Sequence, residues 1–195
     1  MTPRLVDEAL AAELLLLGEV VAAATESSFG LLADASSAAA VTRLLASKPR
    51  AQAGIGLILP DAAALPRWAT EIPAAARALM ERWPGALTLV LPARAEVDPR
   101  LTRGGTLGVR VAGPSAAARL AQRTGLALTA TSANPTGRPP ALSAAAVARE
   151  LPQVWAVYGR APGGLPSTYV GFQGGAPVLL RAGRVPVTAP NAALR

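Results

Sequence analysis

The sequence predicts an α/β (α+β) protein: a twisted sheet of mixed parallel and antiparallel strands, flanked by helices, in a single domain. Three observations carry this expectation. Helical stretches and short apolar runs interleave irregularly along the chain, the pattern of a mixed sheet with helices packed on it. Hydrophobic residues fill 51% of the 195 positions and charged ones 16%, so one chain can bury a substantial core. No repeat or linker divides the sequence, which leaves a core over about residues 5–185 and a loosely ordered tail over 186–195.

The elements follow in chain order. Val6 to Leu17 reads as an amphipathic helix with Leu10, Leu14 and Leu17 on the buried face, ended by Gly18. Val20–Ala24 is a short strand, followed by a polar cluster and renewed apolar residues. Ser36 or Ser37 caps a helix to Ser47 that buries Ala40, Val41, Leu44 and Leu45. Ile55–Leu59 is a strand stopped by Pro60, and Pro73 opens a helix to Arg82. Trp83-Pro84-Gly85 turns the chain into the strand Ala86–Leu91, and residues 93–105 form a surface loop. Thr106–Val111 is a strand, Pro114 opens a helix to Arg123, and Leu126–Thr131 is the next strand. Ser143 caps a helix to Glu150, and Val154–Tyr158, Thr168–Phe172 and Pro177–Arg181 complete the strands.

Composition narrows the chemistry. The chain has neither Cys nor His, which excludes disulfides, thiolate nucleophiles, imidazole acid–base steps and His or Cys metal sites. Catalysis then rests on positioning and charge, on carboxylates, or on an oxygen-bound metal such as Mg²⁺. A formal net charge of +7 favours anionic partners such as nucleotides or RNA. The apolar segment 9–24 is interrupted by Glu13 and Glu19, too short and charged for a membrane span, so a cytoplasmic protein without membrane contact is expected.

Several clusters stand out. Lys48 is the single lysine among 19 basic residues, and Lys48-Pro49-Arg50 places a point charge and a planar fork just past a helix end. On these residues alone a phosphate site and a cation at a helix C-terminus both remain open. Ser132 and Asn134 lie two apart after a strand, so they share one side and are expected to hold a ligand at the sheet end. A plain turn through Asn134-Pro135 explains the same residues. Arg110, inside a strand, is costly to bury unless it meets an anion or carboxylate.

Taken together and in order, these stretches resemble the YrdC-type L-threonylcarbamoyl-AMP synthase family. Residues 24–31, ATESSFGL, stand where that family has Pro-Thr-Glu-Thr-x-Tyr-Gly-Leu. Lys48-x-Arg50, PGALTLVL (84–91), GVR (108–110), TSAN (131–134), PST (166–168) and LRxG (180–183) follow in register, over about residues 20–185. The resemblance implies the YrdC/RibB-like fold and formation of threonylcarbamoyl-AMP and pyrophosphate from L-threonine, bicarbonate and ATP with Mg²⁺. That product serves N6-threonylcarbamoyladenosine modification of tRNA, with tRNA threonylcarbamoyltransferase proteins as partners and tRNA or double-stranded RNA as a further ligand. By the same resemblance Thr25, Arg110, Ser132 and Ser167 are threonine contacts. Lys48, Arg50, Thr106, Asn134 and Arg181 are ATP contacts, with Lys48 and Arg50 catalytic.

The chain departs from the pattern at named positions. Ala24 replaces Pro, Phe29 replaces Tyr, Ala112 replaces Pro, and Arg50-Ala51 lacks the Pro that follows in the family. These changes keep a second reading open: a non-catalytic paralogue that binds RNA or nucleotide in the same basic groove.

Overall fold

A computed structural model describes residues 4–48 and 54–188. In chain order the elements are β1 (Leu5–Val6), α1 (Glu8–Leu16), β2 (Val21–Ala24), β3 (Phe29–Leu32), α2 (Ala38–Ser47) and β4 (Gly56–Ile58). Then come α3 (Ala74–Met80), β5 (Leu87–Pro92), β6 (Thr106–Arg110), α4 (Ala116–Thr124), β7 (Leu128–Ser132), α5 (Ala144–Glu150), β8 (Trp155–Val157), β9 (Thr168–Gln173) and β10 (Ala176–Arg181). Short 3₁₀ turns cover Ala62–Arg67 and Pro99–Leu101, the second inside the stretch expected as plain loop.

The strands form one sheet in the order β1-β8-β2-β3-β7-β4-β6-β5-β9-β10. It is mixed: β4 runs parallel to β6 and antiparallel to β7, and β5 runs parallel to β9 and antiparallel to β6. Side-chain alternation gives the sheet two different faces. One buries Leu31, Leu57, Leu89 and Val109 against α2, α3 and α5 through Ala40, Val41, Leu44, Ala76 and Val147. On the other, α1 and α4 pack on Val6, Val21, Ala23, Leu32, Ile58, Leu128 and Val157. Beyond Ile58, over Gly56 of β4 and over β6, β5 and β9, no described helix packs on that second face, and small and polar residues collect there.

Local chemistry explains the helix starts. The side chains of Asp7, Ser37, Ser115 and Ser143 each accept from the amide three residues on, at 2.9, 3.2, 3.2 and 3.2 Å. Gly125, at φ +68°, ends α4 in the left-handed region that side chains with a Cβ avoid.

Three expectations are corrected. In α1 the buried residues are Ala11, Ala12 and Leu15, whereas Leu10 and Leu17 are exposed. The alanine face lets α1 approach α4 closely, which a leucine face would prevent. Phe29–Leu32 is a fully buried strand, hidden in the sequence by the polar turn before it. The start of the tail is tied down: Thr168 Oγ1 donates to Val185 O at 2.6 Å and Arg82 Nη1 to Pro186 O at 2.7 Å. Residues 189–195 lie outside the described residues.

Gly183 makes this docking possible. A Cβ there would overlap the backbone of Pro166, Ser167 and Thr168. Backbone cannot swing aside as a flexible side chain can, so Gly183→Ala is expected to cost about 1–3 kcal/mol. Thermal unfolding checks this; a midpoint unchanged from wild type would contradict it.

Candidate active site

The uncovered part of the sheet forms the floor of a cavity of about 880 Å³. Its floor residues recur every second position, as one sheet face requires: Thr106, Gly108 and Arg110 on β6, Thr88 and Val90 on β5, Ala130 and Ser132 on β7. Gly56 and Gly108 keep the floor low enough for Tyr169 of β9 to lie across it. A Cβ at Gly56 would sit 2.8 Å from Tyr169 Oη, and one at Gly108 would sit 3.2 Å from the ring. A tyrosine on β9 touching β4, three strands away, means that the sheet is curled here.

Of the nine predicted site residues, eight line this one cavity: Thr25, Lys48, Thr106, Arg110, Ser132, Asn134, Ser167 and Arg181. The ninth, Arg50, lies outside the described residues. The site reaches from strand ends, where Thr106, Arg110, Ser132 and Arg181 sit, across the face of the sheet. The reason is the run of Gly, Ala and Thr positions on that face, which leaves volume that larger side chains would fill.

Lys48 follows α2, but its ammonium does not return to the helix carbonyls. Nζ donates to Ser132 O at 2.8 Å, Ser132 Oγ at 3.0 Å and Asn134 Oδ1 at 3.3 Å. The Asn134 amide is fixed from its other side by donation to Arg138 O. Lys48 is only 9% exposed, not the surface charge that its place after a helix predicts. Burial lowers its pKa from the ordinary lysine value, and these acceptors are neutral, with no carboxylate among the described residues to compensate the charge.

Arg110 is handled differently. Its Nη1 donates to both Glu26 oxygens, at 3.0 and 2.9 Å, with each side chain 10% exposed. Glu26 Oε1 also accepts from Gly113 N at 2.7 Å. The carboxylate that a buried strand arginine demands is thus supplied from the β2–β3 turn.

At the far wall Arg181 stacks on the Tyr169 ring, 4.2 Å from its centroid, and Nη2 donates to Ser167 O at 2.8 Å and Oγ at 3.3 Å. Ser167 Oγ accepts from Thr88 Oγ1 at 3.1 Å as well. With two donors on its oxygen, the Ser167 hydroxyl keeps its own hydrogen for a third partner. Thr25 Oγ1 donates to Ser28 O at 2.8 Å and closes the β2–β3 turn. Thr106 Oγ1 donates to Arg103 O at 2.7 Å in the hairpin that brings Arg103 to the rim.

Arg103, Thr88, Tyr169 and Glu26 belong to the site's structure without having been singled out from sequence. The spacing of Thr88 and Val90, matching that of Thr106, Gly108 and Arg110, was the signal available for Thr88. Among the described lining residues Lys48, Arg103, Arg110 and Arg181 are cationic and none is a carboxylate. Such a wall is built to take several anionic groups at once. No group of three or more Asp or Glu among the described residues comes together to hold a metal. No described helix is long and apolar enough to cross a membrane.

Known proteins are similar to this chain in sequence and fold. A threonylcarbamoyl-AMP synthase of Halorhodospira halophila is 45% identical over 136 residues, covering 68% of this chain and 71% of the relative. One from Bacillus subtilis is 35% identical over 184 residues, covering 91% of this chain and 53% of the relative. The structure of P. abyssi Sua5 complexed with L-threonine superposes with a TM-score of 0.83 at 34% identity, covering 90% of this chain and 54% of that one. This chain therefore spans about half the length of the longer relatives. The profile of the Sua5/YciO/YrdC family, described as telomere recombination, matches residues 13–183, and the chain belongs to that family.

Proposed function

We propose that this protein is an L-threonylcarbamoyl-AMP synthase, joining L-threonine, bicarbonate and ATP to give threonylcarbamoyl-AMP, pyrophosphate and water. The observation that carries the reading is the convergence of eight predicted substrate contacts on one cavity, whose described lining residues include four cations and no carboxylate. The Sua5 structure with L-threonine, and relatives that carry the synthase name, support the same reading.

The chemistry matches the residues. Threonine carbamate must attack the α-phosphorus of ATP as pyrophosphate leaves, and both reactants are anions. The protein's task is to overcome their repulsion and align them. Lys48 and Arg181, with Arg103 at the rim, would take the triphosphate; Arg110 would take the amino-acid carboxylate. Ser167 and Ser132 would donate to substrate oxygens. The described residues do not fit a resident metal, so Mg²⁺ would enter with ATP as part of the substrate, held by phosphate oxygens and water. The product's destination in tRNA modification goes with a cytoplasmic location and with transferase proteins that take up the adenylate.

Incubation with ATP, L-threonine, bicarbonate and Mg²⁺ tests the proposal. Pyrophosphate release that depends on threonine is expected. Folded protein that releases none, yet binds RNA in a salt-sensitive manner, would replace this reading by the non-catalytic one.

A further inference from the structure

Among the described residues four cations line the cavity, and of these only Arg110 has a carboxylate partner. Lys48 bonds to neutral oxygens of Ser132 and Asn134, Arg181 to neutral oxygens of Ser167, and Arg103 has no ion pair among the described residues. Arg110 alone is paired, with Glu26. Glu26 is not itself part of the cavity wall; it stands behind Arg110, braced by the Gly113 amide. Both carboxylate oxygens go to one amino group, Nη1, so the Nε and Nη2 edge of the guanidinium makes no hydrogen bond among the described residues. Neither of those nitrogens is a sealed, unpaired donor, and Arg110 is among the residues that line the cavity.

We infer that Glu26 is a positioning residue that makes the Arg110 end of the cavity select a carboxylate and refuse a phosphate. This rests on the synthase reading above. Two physical effects act together. Glu26 fixes the plane of the guanidinium, so its free edge offers two parallel N–H donors, the geometry that a single carboxylate fits. Glu26 also cancels one positive charge at that end, leaving the three uncompensated cations elsewhere as the stronger field for a polyanion. A triphosphate gains more from charge than a carboxylate does, because its interaction scales with its own larger charge. Substrate anions are thereby sorted: threonine to the compensated arginine, phosphates to Lys48, Arg103 and Arg181. Without this sorting, a second phosphate group would compete for the amino-acid end.

Inorganic pyrophosphate is the probe. L-threonine binding is measured by calorimetry at rising pyrophosphate, for wild type and for Glu26→Gln, which keeps the side-chain shape and an acceptor for Gly113. In wild type, pyrophosphate is expected to leave threonine bound. In the variant it is expected to displace threonine, at a concentration lower by on the order of tenfold or more. Circular dichroism and binding of ATP alone report whether the variant is folded, and Glu26→Asp serves as a second variant that retains the charge and is expected to restore selectivity. Equal pyrophosphate sensitivity in wild type and folded Glu26→Gln would overturn the inference, as would displacement in the Asp variant at the Gln variant's concentration. Failure of wild type to bind threonine at all would instead strike the synthase reading.

Discussion

Lys48→Met is expected to abolish pyrophosphate release, with kcat/KM down by about 100-fold or more, while the protein unfolds at the same temperature or a higher one. Both halves come from the same geometry. The lysine is largely buried, and among the described residues its ammonium bonds only to the neutral oxygens of Ser132 and Asn134. Such a charge is held at a cost to stability that methionine, similar in shape, removes. The oxygens left behind face the cavity, where water can replace the lost donor. Catalysis, in contrast, needs the positive charge against the phosphates. The pH dependence follows with a definite sign. Folding lowers the Lys48 pKa below its ordinary 10.5, so just below that value the unfolded chain binds more protons than the native one. Stability therefore rises with pH through that window and activity falls, and Lys48→Met should lack the rise in stability. A variant with wild-type turnover, or one that unfolds many degrees lower, would contradict this.

Arg110→Met should behave in the opposite way. Removing this arginine leaves Glu26 buried with only the Gly113 amide as partner, an uncompensated charge worth about 3–5 kcal/mol of lost stability. Threonine binding should be lost as well, while any protein that remains folded should still bind ATP. Denaturant unfolding measures the first effect and titration with each substrate the second. Arg110→Met combined with Glu26→Gln is expected to recover much of the stability and none of the threonine binding. Recovery of both would show that Arg110 serves the fold alone.

The two cations, alike on paper, differ because one has a carboxylate behind it and the other does not. Part of this was legible in the sequence. A charge in the middle of a strand demanded a partner, and Arg110 has one; the identity of Glu26, 84 residues away, was not readable from local pattern. The lone lysine drew attention by its rarity, but its place after α2 predicted exposure. Only the approach of β7 makes it buried. Helix starts at Ser37 and Ser143 were readable because a cap is a local arrangement of side chain and amide. The buried face of α1 was misjudged for the reverse reason. Leucines outrank alanines in any hydrophobic count, yet the face of α1 packed in the cluster with α4 is Ala11, Ala12 and Leu15. Spacing brought Ser132 and Asn134 to one side, but the curl of the sheet, which lets Tyr169 reach Gly56, follows from strand order and cannot be seen in any one strand.

A crystal soaked with both L-threonine and an ATP analogue that cannot release pyrophosphate addresses the alignment of the two substrates most directly. The threonine carboxylate should lie on the Nε and Nη2 edge of Arg110 and the phosphates against Lys48 and Arg181. The amine should face the α-phosphorus across a gap that one carbon dioxide unit would fill. Threonine and nucleotide found on separate surfaces, or phosphate seated on Arg110 with threonine excluded, would contradict the account.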